Sequence, residues 1–366
     1  MSLNEVSTLL DKIQTPMTLV TTPINLESER EKFFNSETYN PQFKYSIYKN
    51  NNDKILNELS SVQIISGVDP RISDFHIDLI ESKNLVNKMY YSIGDNDDLT
   101  KYSKMRYGMP SELLFKNAAK VLKNKVKNYH LISEAKVKHS KYIEKEQIVS
   151  SLEKVLKHFG LDDWQIVFSK RTLDKNIRVG VKSKYIVLGS EDIRKRAIKL
   201  RKTIVHEIGT HVFRWYNANL SGIPALTKSN LKSYQDIEEG LATYNEDISD
   251  LLDYKSLKQR ALLTYAIYIG EGLTFRQLYN VLVGFVPTYN AFKIALRVKR
   301  GLSDTSQPGI YPKDVSYFRG YRKVRRKLQE DVSLYNKLYA GKISLDQVSW
   351  VDDGLIPKPK LIYNPE

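Results

Sequence analysis

Thr203-Ile-Val-His-Glu-Ile-Gly-Thr-His-Val-Phe213 is an apolar helical run interrupted by His206, Glu207 and His211. Two imidazoles with a carboxylate beside the first form the donor pattern of a metal-binding hydrolase helix, in which both histidines must reach one ion. On a regular α-helix, residues four apart lie about 40° from each other, whereas residues five apart diverge by about 140°. The spacing therefore predicts one inserted residue in a π-type bulge, which returns His206 and His211 to one side. Gly209, between them, is the residue expected where the backbone rewinds, because it has no Cβ to clash. Two separately hydrogen-bonded core histidines are the plain alternative; the pair together with Glu207 favours the metal.

A catalytic zinc site needs three protein ligands and one open position. The segment Ser233-Tyr-Gln-Asp-Ile-Glu-Glu-Gly-Leu-Ala-Thr-Tyr-Asn-Glu246 offers the third ligand from a second helix. Ser233 with Asp236 makes its start, Ile237, Leu241, Tyr244, Ile248, Leu251 and Leu252 form its buried stripe, and Glu238 and Glu239 fall in its first turn. Gly240-Leu-Ala242 supplies small residues for a close approach to the first helix. Glu239 is assigned as the ligand. Glu246, seven residues on and on the same face, is assigned to the layer behind it as acceptor of a ring N–H, and Glu238 is placed in that layer too. A glutamate pair on its own would be explained by the helix dipole.

Outward from these helices, strand signals are confined to Trp164–Ser169, Ile177–Lys182 and Lys184–Gly189, for which a small antiparallel sheet beside the metal-binding helices is the simplest arrangement. Before them, residues 51–158 read as helices, with a turn at Tyr107-Gly108-Met109-Pro110. After them, helices are expected at about 191–217, 233–253, 255–269, 274–285, 288–300 and 313–329. The predicted fold is α+β and mainly helical, with three regions: an N-terminal arm over 1–50, turn-rich with Pro16, Pro23 and Pro41; a helical region over 51–158; and a catalytic region over 159–366.

The chain has 366 residues and no cysteine, which excludes a disulfide framework, zinc fingers, iron–sulfur clusters and a thiol nucleophile, so any metal must sit on His, Asp or Glu. Apolar runs such as Ala261–Ile269 and Tyr279–Pro287 are far shorter than the roughly 20 residues a membrane span requires. The first residues carry Glu5 and Asp11 with no cationic start and apolar block, so no secretion signal is expected and the protein reads as soluble and cytoplasmic. Lys and Arg total 57 against 42 Asp and Glu, an excess of +15 that favours an acidic partner. The block Arg319, Arg322, Lys323, Arg325, Arg326 and Lys327 reads as a solvated helix face, and no nucleic-acid partner is expected.

His206-Glu-Ile-Gly-Thr-His211 followed by Glu239-Gly-Leu-Ala242 resembles the microtubule-associated tyrosine carboxypeptidase family, whose bacterial relatives are known as flavohemoglobin expression-modulating proteins with a Gln-Glu-Gly-Leu-Ala motif. Here Glu238 stands where that motif has Gln. It precedes the ligand, and a Glu-Glu pair also occurs in dipeptidyl peptidases with the five-spaced histidines. Further landmarks are Pro23-Ile-Asn25 with Glu29, Tyr39–Tyr45, Tyr107-Gly108, Arg297–Asp304, Gln307-Pro-Gly309, Lys313-Asp314, Tyr317, Gly341-Lys-Ile343 and Gly354–Pro357. Eukaryotic members of the family remove the C-terminal tyrosine of α-tubulin. The resemblance thus implies a zinc-peptidase-like core and a metallocarboxypeptidase that releases Tyr or Phe from a peptide or protein C-terminus.

With one Zn2+ held by His206, His211 and Glu239, Glu207 is the expected general base. The developing oxyanion needs a donor, for which Tyr317, Tyr311 and Lys313 are candidates. A free α-carboxylate suits a planar guanidinium, for which Arg300 and Arg297 are candidates. The strand Arg178–Lys182 is placed to align an extended peptide. A zinc peptidase of other specificity and a non-enzymatic protein with a retained metal site are the competing readings.

Overall fold

The computed structural model describes every residue except 127–128, 170–176, 191, 229–230, 232–233 and 366. In chain order the helices are α1 (Leu3–Lys12), α2 (Met17–Val20), α3 (Leu26–Phe34), α4 (Asn52–Ser60), α5 (Pro70–Tyr91), α6 (Asn96–Tyr107), α7 (Glu112–Leu122), α8 (Glu134–His139) and α9 (Lys145–His158). Then come α10 (Ala197–His206), a π-helical segment (Glu207–Val212), α11 (Phe213–Asn219), α12 (Tyr234–Ile248), α13 (Tyr254–Gly270), α14 (Phe275–Leu282), α15 (Thr288–Lys299), α16 (Val315–Glu330), α17 (Leu334–Lys337) and α18 (Ser349–Asp352). The strands are β1 (Tyr142–Ile143), β2 (Gln165–Phe168), β3 (Ile177–Gly180), β4 (Tyr185–Leu188) and β5 (Lys195–Arg196). The fold is mainly helical with small sheets, as an α+β reading requires.

These elements form two compact units that interleave along the chain. The first comprises Met1–Lys125, Asn230–Lys232 and Lys258–Arg319. Its N-terminal stretch, expected to be turn-rich, carries three helices. α1 starts in a capping box, with the Glu5 amide donating to Ser2 Oγ and Glu5 Oε2 accepting from the Ser2 amide, and it buries Val6 and Leu10. The landmarks in and around α3 hold each other. Buried Glu29 accepts from the Tyr39 hydroxyl at 2.6 Å and the Gln42 amide at 2.8 Å, while Asn25 accepts from the Lys44 amide and donates to the Gln42 carbonyl. Helix α6 follows from no strong sequence period; the Asp95 carboxylate caps its start, and Gly108, at φ +68°, ends it. Lys299 is fully buried, and its ammonium donates to the carbonyls of Gly270, Leu273 and Gly309 at 2.8, 2.5 and 2.6 Å.

The second unit comprises Val126–Ser229, Ser233–Leu257 and Gly320–Glu366. Its three-stranded sheet has the order β2-β4-β3, with β3 and β4 antiparallel but β2 and β4 parallel. This corrects the expected all-antiparallel sheet. A tight turn with Lys184 at φ +53° folds β4 back on β3, and β4 contributes two fully buried side chains, Ile186 and Leu188. The most apolar strand therefore takes the centre, and β2 is left to pair along its other edge in the same direction. Strand β3 also stops at Gly180, short of Lys182. A further two-residue ladder joins β1 to β5, pairing Tyr142 with Arg196. The core packs Ile148, Leu152 and Leu156 of α9, Ile186 and Leu188 of β4, Ile208, Val212 and Phe213, and Ile237 and Leu241 of α12 with Val324 and Leu328 of α16. Each such side chain contributes about 1.5–3 kcal/mol by leaving water, and together they fix the helix that carries His206 and His211 between sheet and helices.

Candidate metal centre

His206 closes α10, and the next six residues are π-helical, so the five-residue spacing is accommodated by i→i+5 hydrogen bonding over the whole of Glu207–Val212. The two imidazoles come together with ring centroids 5.1 Å apart and planes at 76°. Gly209 serves a different purpose from the one its sequence position suggests. Its backbone lies outside the left-handed region, and a Cβ there would stand 2.8 Å from Cδ2 of Tyr363. The missing side chain makes room for a ring.

Opposite this segment, α12 presents Glu239. One donor atom from each of His206, His211 and Glu239 lies within 4.8 Å of the others, and the Nε2 of His206 is 3.7 Å from Glu239 Oε2. The other nitrogens are taken: His206 Nδ1 lies 2.8 Å from Glu246 Oε1, and His211 Nδ1 lies 2.7 Å from Glu238 Oε1. An Nδ1–H held by a carboxylate orients each ring and makes Nε2 the nitrogen available to a metal once it is unprotonated. Ser233, expected to start α12, lies outside the described residues. The helix runs from Tyr234, so Glu238 and Glu239 sit beyond the first turn, where the helix dipole has faded. Gly240 does not face the metal helix. A Cβ on it would stand 2.4 Å from the Gly320 carbonyl, so the small residue serves a crossing with α16. α12 is also buried far beyond its apolar stripe, with Thr243, Asn245, Glu246 and Asp247 all inside.

Four residues that sequence reasoning left without a role complete the centre. Arg214 is fully buried; its guanidinium pairs with Glu238 and donates to the carbonyls of Leu338, Gly341 and Ile343. Lys342 adds an ammonium 3.1 Å from Glu238 Oε1. Burial works to raise the Glu238 pKa, but Lys342, Arg214 and His211 hold it well below the usual carboxylate range. Burial likewise disfavours the imidazolium of His211, yet Glu238 first, then Glu239 and Glu207, push its pKa up to about 9 in the metal-free protein. On the His206 side, Lys202 lies 3.2 Å from Glu246 Oε2 and 3.0 Å from Asp253 Oδ2. The readable signals were a charge at Arg214 inside the apolar run Val-Phe-Arg-Trp-Tyr, and the Gly-Lys-Ile landmark at 341–343.

A cleft of about 990 Å³ opens beside the centre, lined by His206, Glu207 and Glu246, by Ile177 and Arg178 of β3, and by residues of α10 and β5. β3 is an edge of its sheet, and basic side chains outnumber acidic ones around the cleft. On its wall the Tyr142 ring stands between Arg194 and Arg196, at 4.4 and 4.2 Å from the guanidinium carbons. Half-buried Glu207 is in this cleft.

Arg297, Arg300, Tyr311, Lys313 and Tyr317 belong to the first unit, whereas the His–Glu cluster belongs wholly to the second. Arg297 and Arg300 lie 2.7 and 3.4 Å from Asp314. Asp314 is buried, which would raise its pKa, but Arg297, Arg300 and Lys313 hold it below the usual range. Tyr311 is buried with its hydroxyl 3.4 Å from that of Tyr107, and burial with Tyr107 pushes its pKa well above the ordinary phenol value. Lys313 and Tyr317 are half-buried. The basic block on α16 is in good part paired within the protein: Arg322 donates to the Tyr129 hydroxyl, Arg325 lies over the Tyr129 ring, and Arg326 and Lys327 pair with Glu330.

A family profile described as microtubule-associated tyrosine carboxypeptidase matches residues 31–364. The chain belongs to this family. It is 29% identical over 334 residues to the putative tyrosine carboxypeptidase MATCAP2 of Mus musculus, covering 89% of this chain and 54% of that protein. It is 25% identical over 332 residues to the mouse microtubule-associated tyrosine carboxypeptidase 1, covering 89% and 60%. Against human MATCAP2 the identity is 35% over 150 residues, or 39% of this chain and 28% of that protein. The chain thus spans little more than half the length of the mouse relatives. Among the described residues, no helix is long and apolar enough to cross a membrane.

Proposed function

We propose that the protein is a zinc metallocarboxypeptidase that hydrolyses the C-terminal peptide bond of a peptide or protein and releases Tyr or Phe, acting in the cytoplasm. One observation carries the reading: His206, His211 and Glu239 converge within 4.8 Å beside a cleft that also contains Glu207. Two neutral imidazole nitrogens and one carboxylate, with carboxylates behind both rings, suit zinc in composition and leave room for an open position. Bound at these donors, zinc supplies Lewis-acid polarisation of a carbonyl and water of pKa about 7.

The chain's own groups do the rest. Glu246 and Glu238 keep both Nδ1–H groups oriented, so the lone pairs on Nε2 do not wander. The Glu207 carboxylate takes a proton from the attacking water and later delivers it to the leaving amine nitrogen. The edge of β3 offers backbone groups for an extended substrate, and the basic wall of the cleft favours an acidic chain.

Mass-spectrometric end-group analysis of a random peptide pool treated with zinc-loaded protein tests this. Release of C-terminal Tyr or Phe is expected, lost on chelation and reduced about 10²- to 10⁴-fold in Glu207→Gln, which keeps its metal. Equal cleavage of peptides with amidated C-termini would rule out a carboxypeptidase, and no cleavage at all would rule out an enzyme of this class.

A further inference from the structure

A π-helical turn is rare because a regular α-turn packs its backbone better. Were Glu207–Val212 to become regular α-helix, His206 and His211 would lie about 140° apart and His211 would leave the cluster. Something must therefore hold the wider turn, and the groups around it are specific. Tyr339, fully buried, donates its hydroxyl to the Gly209 carbonyl at 3.0 Å. Asn245, equally buried, donates from Nδ2 to Thr210 Oγ1 and to the Tyr339 hydroxyl, both at 2.7 Å. Thr210 Oγ1 in turn donates to the carbonyl of Val205, five residues back, at 3.2 Å.

The residues near 363 close this brace. The Tyr363 ring rests on Gly209 so closely that a methyl group there would meet it at 2.8 Å. Its hydroxyl lies 2.8 Å from Ser249 Oγ, which itself donates to the Asn245 carbonyl. The Tyr335 hydroxyl lies 2.9 Å from both the Tyr363 carbonyl and Asn245 Oδ1. Asn217 of α11 fixes the approach, accepting from the amides of Lys360 and Leu361 and donating to the Leu361 carbonyl. Every one of these side chains is neutral and none is a metal ligand.

We infer that Tyr363, with Tyr339 and Asn245, is a positioning element that clamps residues 206–212 in the π form and so sets the distance between the two metal-binding imidazoles. The inference rests on the zinc reading above. In it, the missing side chain of Gly209 matters as the seat of the Tyr363 ring.

Zinc affinity, read by competition with a chromophoric chelator on the full chain, tests this alongside the thermal midpoint of the metal-free protein. Tyr363→Ala is expected to weaken zinc binding about tenfold or more, and Tyr363→Phe, which keeps the ring, to stay within about twofold of wild type. Gly209→Ala should also weaken binding, but add nothing in a Tyr363→Ala background, because its effect passes through the ring. Tyr339→Phe removes one hydroxyl without changing volume and keeps the test alive should Gly209→Ala fail to fold; it too should weaken binding. Wild-type affinity in the Tyr363→Ala and Tyr339→Phe variants, with only their melting lowered, would overturn the clamp and leave the zinc reading standing. Additive effects of Gly209→Ala and Tyr363→Ala would overturn it as well. Wild-type protein that binds no zinc, or binds it equally after His206→Ala, would overturn the zinc reading and the clamp together.

Discussion

His206 and His211 are each held by a buried glutamate, but the cations behind the two glutamates differ. Behind His211, Glu238 is clamped by a fully buried guanidinium that ties it to three backbone carbonyls between residues 338 and 343. Behind His206, Glu246 meets Lys202, whose ammonium also serves Asp253 and Ser256 and whose side chain lines the open cleft. Both carboxylates are buried, but one is tied to the backbone through a fully buried guanidinium and the other to a lysine that lines the cleft. The difference is testable because removing a donor that also serves buried carbonyls costs more than removing one whose partners keep other donors.

The largest effect is expected from Arg214→Met. It leaves the Glu238 carboxylate with only Lys342 and His211, and the carbonyls of Leu338, Gly341 and Ile343 without this donor, which should cost about 3–5 kcal/mol of unfolding free energy. Urea denaturation of the metal-free protein measures it. A loss under about 1 kcal/mol would mean that water reaches Glu238 and that the two sides are alike.

Next in size is a pH effect that belongs to the His211 side. The folded-state pKa of His211, about 9, lies above its ordinary value of 6.5. The pair therefore stabilises the metal-free fold in full below pH 6.5, and this contribution fades as pH rises through 9, by up to about 3 kcal/mol. Zinc must displace the same proton, so its apparent affinity should climb about tenfold per pH unit across that window and then level off. Titrations at pH 6.5 to 9.5 check this, and a flat profile would break the link between Glu238 and His211.

How much of this arrangement is legible before folding follows from the length scale of each constraint. The five-residue spacing of His206 and His211 forces a widened turn through local geometry alone, and the seven-residue step from Glu239 to Glu246 puts both on one helical face. Helix positions after residue 190 were readable for the same reason. By contrast, the sheet order depended on which strand is most apolar on both faces, a comparison among strands that no single strand carries. The partners of Gly209 and Gly240 lie at 363 and 320, so sequence could show that space was needed but not for what. Arg214 was the costliest residue to miss. A cation embedded in aromatic neighbours signals a buried partner, though which of the nearby glutamates it meets is decided only by the packing of α11 against α12.

The smallest effect is expected on the His206 side, from Lys202→Met. Removing that ammonium leaves Glu246 its bond to His206, and leaves Asp253 the Lys199 ammonium at 2.6 Å together with the Ser256 amide and hydroxyl. Neither carboxylate is orphaned, because each keeps another donor. Unfolding free energy should therefore fall by about 1–2 kcal/mol, less than in Arg214→Met, and zinc affinity by only a few fold, well short of the change in Glu238→Gln. If Lys202→Met instead destabilised the protein as much as Arg214→Met, the remaining donors to Glu246 and Asp253 would not suffice. The contrast between the two histidines would then disappear, because each would depend on a single irreplaceable cation.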